Sequence, residues 1–321
     1  MRAHGPVLIL LSLAGAAVAQ APAPPQTAPA ATVDLGSPVV EALEVVARPP
    51  GPALWKVTKG NSEVVVLGAV RPVPHALVWD SARLDRALDG ANVLLVQPRF
   101  TIGVMDMIRF KVGGTGARQD RPLEETLPPD LRSRFVGART AARQDAGRYG
   151  RLKPYVAAFM LVGDYREAGG LSAAKPDSTV EKLAKAHKVP IRPVAEYRVA
   201  AAIKTASPMT EAQSFACLQD AVDEVQWESD QSRATAAAWA AGDLKAVRAS
   251  YPPSPLERCL QQVPNTAVIE RGTEDSTRAI AAALTKPGKA VAIVDLNFLL
   301  RPNGVLDRLK AQGATITVPG S

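Results

Sequence analysis

The run "ANVLLVQ" (residues 91–97) constrains the fold more than any other stretch. It is continuously apolar at strand length and bounded by turn-forming residues, which is how a buried β-strand reads. What precedes it fixes the fold class. "ALWKVTKGNSEVVVLGA" (53–69) has two apolar-alternating runs around Lys59-Gly60-Asn61-Ser62, a β-hairpin pattern. "SARLDRALDG" (81–90) then offers Ser81 as N-cap, apolar spacing at Leu84 and Leu88, and a stop at Gly90. Strand, strand, helix, strand is α/β order.

The middle of the chain is predicted to be largely helical. "GVMDMIRF", "LRSRFVGARTAARQDA", "PYVAAFMLVGDYREA" and "STVEKLAKAH" all carry helical spacing, and "VPIRPV" follows as a short strand. A long helix is expected from Thr210 to about Ala240, then a break and a short helix in "PPSPLERCLQQVP". "NTAVIERGTEDSTRAIAAALTK" reads as one long helix or a pair. Strand "AVAIVDL", turn "RPNG", helix "VLDRLKAQ" and strand "TITV" bring the chain back to the sheet begun near Leu54.

Ahead of Ala53 the sequence changes character. Arg2, the apolar "VLILLSLAGAAV" and the small residues Ala17-Val18-Ala19 form a secretory signal with predicted cleavage after Ala19. The apolar core is shorter than the ~20 residues a membrane span needs. Residues 20–52 are a Pro/Ala-rich tether, with "VVEALEVVA" as a candidate short strand and "RPPGP" as a break. The folded part is expected over 53–319, exported to the periplasm or secreted, with no transmembrane segment in the mature chain. Export permits oxidation, so Cys217 and Cys259, the only two cysteines, are expected to pair; two buried free thiols are the alternative.

The formal net charge of +7 is mild for 321 residues. It favours anionic surfaces but is no nucleic-acid signature. Arg132, Arg134, Arg139, Arg143, Arg148, Arg151 and Lys153 form a basic stretch opposed within it only by Asp145. Arg132, Arg139 and Arg143 share one helical face, either a solvated face or a contact for an anionic glycan or lipid. "VGGTGAR" (112–118) lacks the strand–glycine–helix context of a dinucleotide site and reads as a loop. No Ser-His-Asp set is legible, because only His75 and His187 follow the signal. His187 ends a helix, where a cation complements the dipole.

The order of landmarks resembles the TraB/GumN family (the TraB, PrgY, GumN and Tiki group). The carriers are "PALWKV", "GNSEVVVLGAV", "ANVLLVQP", "RLKPYVAAFML", "KVPIRPVAEYRVA", "VIERGTEDSTRAIAAAL" and "KAVAIVDLNFLLRPNGVLDRLKAQGATITV". The resemblance implies a ChaN/EreA-like mixed sheet flanked by helices. It also implies, for Tiki-type members, a metal-dependent protease using two Gly-x-x-His histidines and a strand-end Glu. Two imidazoles and a carboxylate can hold a divalent ion whose bound water is a nucleophile near neutral pH.

This chain departs from that pattern at each ligand position. The first motif reads Gly68-Ala69-Val70-Arg71, the Glu position is Gln97, and the second motif reads Val294-Asp295-Leu296-Asn297. Glu196, Glu270 and Arg271 keep the pattern. A guanidinium has no lone pair to give, and Gln and Asn are weak neutral donors. The expectation is a degenerate member without metal or other cofactor, with a binding or envelope-assembly role, Arg71 pairing with Glu196 or Asp295 in the metal's place. One alternative is a metal-dependent hydrolase with a shifted site of His75, Glu196 and Asp295. Another is an acidic-polysaccharide binder using the basic helix. The partner expected is an envelope protein or an acidic polysaccharide.

Overall fold

Alternation builds the opening hairpin as predicted. In β1 (Leu54–Lys59) Trp55 and Val57 are buried while Lys56 is exposed, and β1 runs antiparallel to β2 (Ser62–Ala69) with Leu54 opposite Leu67. Gly60 supplies the positive φ (+56°) that the tight connection needs. The alternation in β2 gives way at its end to an unbroken buried run from Val66 to Ala69. There Gly68 is a packing requirement: a Cβ at that position would stand 2.5 Å from Leu296 Cδ1 and 2.6 Å from the Trp55 ring.

The computed structural model describes residues 51–101, 103, 117–198, 209–262 and 268–317. The expected leader, all of the tether but Gly51 and Pro52, "VVEALEVVA", most of "GVMDMIRF" and the glycines of "VGGTGAR" lie outside those residues. Among the described residues a six-stranded mixed sheet runs in the order β10-β1-β2-β9-β4-β7. Here β3 is Val73–Pro74, β4 Leu94–Val96, β5 Arg99–Thr101, β6 Leu171–Ser172, β7 Ile191–Pro193, β8 Glu196–Arg198, β9 Gly288–Asp295 and β10 Thr315–Thr317. Strands β2, β9, β4 and β7 are mutually parallel, so their carboxyl ends share one edge of the sheet. The short pairs β3–β6 and β5–β8 extend beyond that edge.

Helices flank the sheet. They are α1 (Ala82–Leu88), α2 (Leu123–Thr126), α3 (Pro129–Ala141), α4 (Ala146–Tyr149), α5 (Pro154–Ala168) and α6 (Lys175–Ala186). Then follow α7 (Glu211–Ala241), α8 (Leu244–Ser250), α9 (Pro255–Gln262), α10 (Val268–Ala283), α11 (Leu296–Leu300) and α12 (Val305–Ala311). The long helix obeys its sequence signals. Thr210 and Gln213 form a reciprocal capping box, and Gly242 ends the helix at φ +78°. In contrast, Ser81 makes no side-chain cap on α1, because its backbone (φ −100°, ψ 4°) is not extended. Asp80 takes over, its Oδ1 accepting from the Ala82 N–H at 2.8 Å. "AVAIVDL" ends by running straight into α11, since Asp295 Oδ1 accepts the Asn297 N–H and starts a helical turn, and the expected turn at "RPNG" follows that helix.

Two apolar clusters result. One surrounds the sheet with Trp55, Val66, Leu67, Leu94, Ile293 and Trp239. The other lies among α2–α5, α7 and α9, with Phe135, Tyr149, Leu161 and Leu218. Helix α7 contributes to both, through Cys217 to Val225 in the helical cluster and Ala236 and Trp239 in the sheet cluster. The expected disulfide is present: Cys217 on α7 joins Cys259 on α9 inside the helical cluster, across 42 residues.

Candidate functional site

The carboxyl edge of a parallel sheet is where α/β proteins assemble chemistry, because loops from adjacent strands converge there. Arg71 lies two residues beyond β2, Gln97 just beyond β4 and Asn297 two residues beyond β9, on three adjacent strands. Sequence positions 71, 97 and 297 therefore reach the same edge of the sheet. Of the residues that close around Arg71, Asp295 belongs to the same strand end as Asn297, while Asp177 and Tyr251 come from helices.

Arg71 is largely buried, its side chain 15% exposed, between two carboxylates. Its Nε donates to Asp177 Oδ2 at 3.2 Å, Nη2 donates to the same oxygen, and Nη1 donates to Asp295 Oδ2 at 3.3 Å. Asp177 occupies the first turn of α6, where the positive end of the helix dipole favours an anion. Asp295 closes β9 and caps α11, so one carboxylate serves the backbone and the guanidinium together. Tyr251, at the end of α8, completes the set. Its hydroxyl donates to Asp295 Oδ2 at 3.1 Å and accepts the Arg71 backbone N–H at 3.1 Å.

The electrostatics follow from burial and charge balance. Burial works against the Arg71 charge, but Asp177 and Asp295 outweigh it and hold the guanidinium above its usual pKa. Burial raises Asp295 despite Arg71, the Asn297 N–H and the Tyr251 hydroxyl, all of which favour its ionised form. Burial and then Asp295 push the Tyr251 phenol well above its usual range, so it stays a protonated donor. The cluster is one cation against two acids. Asp177 Oδ1 is buried without a hydrogen-bond partner.

The other two replacements are also tied down. Gln97 Nε2 donates to the Ile293 carbonyl on β9 at 3.2 Å, and Asn297 Nδ2 donates to the Pro252 carbonyl at 3.2 Å. Each side chain offers its amide nitrogen to backbone. These donors do not fit a divalent metal, because a guanidinium lies between the two carboxylates that could otherwise face one.

Other sequence candidates are placed apart from this cluster. Glu196 is exposed on β8, so Arg71 pairs with Asp295 and not with Glu196. Glu270 on α10 pairs with Arg308 on α12, and Arg271 is exposed beside it. His75 is exposed; its N–H donates to the Gly170 carbonyl at 2.9 Å and its carbonyl accepts Lys175 Nζ at 2.5 Å. No group of three or more His, Cys, Asp or Glu side chains among the described residues is arranged to hold a metal, and His75 and Glu196 are both exposed.

The basic helix face is largely spent internally. Arg132 donates to the Glu125 and Leu127 carbonyls, while Arg139 bonds the Gln144 carbonyl at 2.9 Å and pairs with Glu124 at 3.0 Å. Arg143 lies past the end of α3 at φ +57°, off the helical periodicity that grouped it with the others. His187 does end its helix, and its Nε2 meets Asp85 on α1 at 2.8 Å.

Asp177 and Tyr251 were not legible as site residues. Asp177 follows Pro176 and reads as an ordinary first-turn acid, and Tyr251 sits in a Pro-rich break. No helix among the described residues is long and apolar enough to cross a membrane. One family model, described as the TraB/PrgY/gumN family, matches residues 53–318. No curated protein and no solved structure matches the chain.

Proposed function

We propose that this chain, which belongs to the TraB/PrgY/gumN family, is an exported, non-catalytic member that serves as a binding or assembly protein of the cell envelope. The observation that carries the reading is the Arg71 guanidinium held between Asp177 and Asp295 at the sheet's carboxyl edge. Arg71 stands where the family resemblance leads one to expect a histidine ligand. A permanently charged guanidinium there neutralises carboxylates as a divalent cation would, but it has no coordination site at which a water could be bound and deprotonated. Gln97 and Asn297 support the same reading, since their amides serve backbone carbonyls.

Fold and charge balance are thereby kept while the elements of hydrolysis are missing. Export rests on the leader ahead of Gln20. A protein of this kind acts through its surface. The test is elemental analysis of protein purified from the periplasm after mild chelation. The reading expects far less than one equivalent of any transition metal, and an N-terminus at Gln20. One equivalent of manganese or zinc that survives chelation would overturn it.

A further inference from the structure

A groove of about 730 Å³ lies beside the loop that follows the Arg71 cluster. Its apolar wall comes from Val78 and Trp79 on that loop, Leu183 on α6, and Ala237 and Ala240 near the end of α7. The alanines of "ATAAAWAA" leave the space, and Trp79 is braced edge-to-face on Trp239 with ring centroids 5.2 Å apart. Trp239 in turn donates its Nε1–H to the Gly68 carbonyl at 2.7 Å, so the aromatic floor is fixed to the sheet. Val78 is 88% exposed and projects as a large apolar side chain where soluble surfaces usually place polar ones.

Charge specifies what such a groove accepts. Among the described residues, the only charged side chains lining it are Asp80 and Asp85, in a chain whose net charge is +7. Asp85 is hydrogen-bonded to His187, while Asp80 forms no salt bridge among the described residues. Its Oδ1 caps α1, leaving its charge on the groove. The neighbouring cations are committed elsewhere: Arg83 bonds the Gly51 and Pro52 carbonyls, and Lys175 bonds the His75 carbonyl. A partly apolar trough with a carboxylate at its rim is complementary to an apolar segment carrying a basic side chain.

We propose that this groove is the docking site for a short peptide segment of a partner protein, with an apolar side chain packed against Val78 and Trp79 and a lysine or arginine paired with Asp80. The proposal rests on the reading of the chain as a binding protein and gives that reading a surface and a partner chemistry. It also assigns the Arg71 cluster a role, since Arg71, through Asp177 and Asp295, anchors the start of the loop that ends at Asp80.

The test is fluorescence anisotropy of the mature protein with a short labelled peptide of alternating leucine and lysine, at physiological salt. Saturable binding is expected, weakened roughly tenfold or more by Val78→Asp and by Asp80→Lys. A leucine–glutamate peptide should not bind, and Phe159→Asp, at another exposed large apolar side chain, should leave binding unchanged. Equal binding by the Val78 and Asp80 variants would overturn the proposal. So would binding of a single-chain cationic amphiphile with no binding of the peptide. Tightly bound metal would sink the non-catalytic reading without altering these ratios, and their failure in metal-free protein would sink the groove alone.

Discussion

Arg71 and Arg166 each face two carboxylates inside the protein, and the two clusters differ in where those carboxylates come from. Arg166 on α5 meets Glu228 at 2.7 Å from Nε and Glu224 at 3.3 Å from Nη2, two acids one turn apart on α7. Ser254 Oγ donates to the far oxygen of Glu224 at 2.5 Å. That cluster joins helices in the helical layer. The Arg71 cluster takes its members from a strand end, a helix start, a helix end and a second strand end, lying 106 to 224 residues from Arg71. Composition is nearly identical, yet only the second lies at the sheet edge where a catalytic set would stand. A buried ion pair is ordinary architecture; its position relative to the strands is what makes Arg71 informative.

The comparison can be broken most severely by removing the cations. Arg71→Met leaves Asp177 and Asp295 facing each other in a largely buried site, and a loss of about 3–5 kcal/mol in urea unfolding is expected. Arg166→Met should cost a similar amount, because Glu224 and Glu228 are more deeply buried still. A much smaller loss at Arg71 would mean that its cluster is not the structural clamp described above. Next in size is the disulfide. In the chain-entropy model a 42-residue separation corresponds to roughly 4 kcal/mol. Reduction, or replacement of both cysteines by Ala, should lower stability by about 2–4 kcal/mol. Hydrogen exchange should speed up first around α7 and α9.

A pH experiment sharpens the contrast between the layers. Glu228 is pushed up to about 7 by burial, with Arg166 lowering it and Glu224 raising it. In the unfolded chain it ionises near 4.5. Between those values the folded protein holds a proton that the unfolded chain has lost, so this group's contribution to stability falls as pH rises from about 4.5 to about 7 and then levels off. Glu228→Gln should flatten that slope by about 1–3 kcal/mol across the window, measured as the difference from wild type in urea midpoints. Identical slopes for the two proteins would contradict the assignment. Smallest is Thr210→Ala at the start of α7, where loss of the capping box should cost about 1 kcal/mol. That loss should be the same at both ends of the pH range.

What was legible in the sequence follows a physical division. The hairpin, α1 and the limits of α7 are written locally, by alternation around Gly60, by Leu84 and Leu88, and by Thr210 and Gly242. The family resemblance placed Arg71, Gln97 and Asn297, and the parallel strands bring them to one edge. Asp177 and Tyr251 were not readable, because their role depends on a partner 106 and 180 residues away. The basic helix was legible only in outline: periodicity groups Arg132 with Arg139 but is silent about the carbonyls and the Glu124 carboxylate they meet. Ser81 lost its capping role to Asp80 through a backbone angle that the residue type does not determine.

The most direct test of the account is a calorimetric titration of zinc or manganese into two proteins, wild type and the Arg71→His/Gln97→Glu/Asn297→His variant. The account predicts no saturable site in wild type and one equivalent in the variant, where two imidazoles and a carboxylate return to the carboxyl ends of β2, β9 and β4. Saturable one-to-one binding by wild type, abolished by Asp177→Asn or Asp295→Asn, would contradict it.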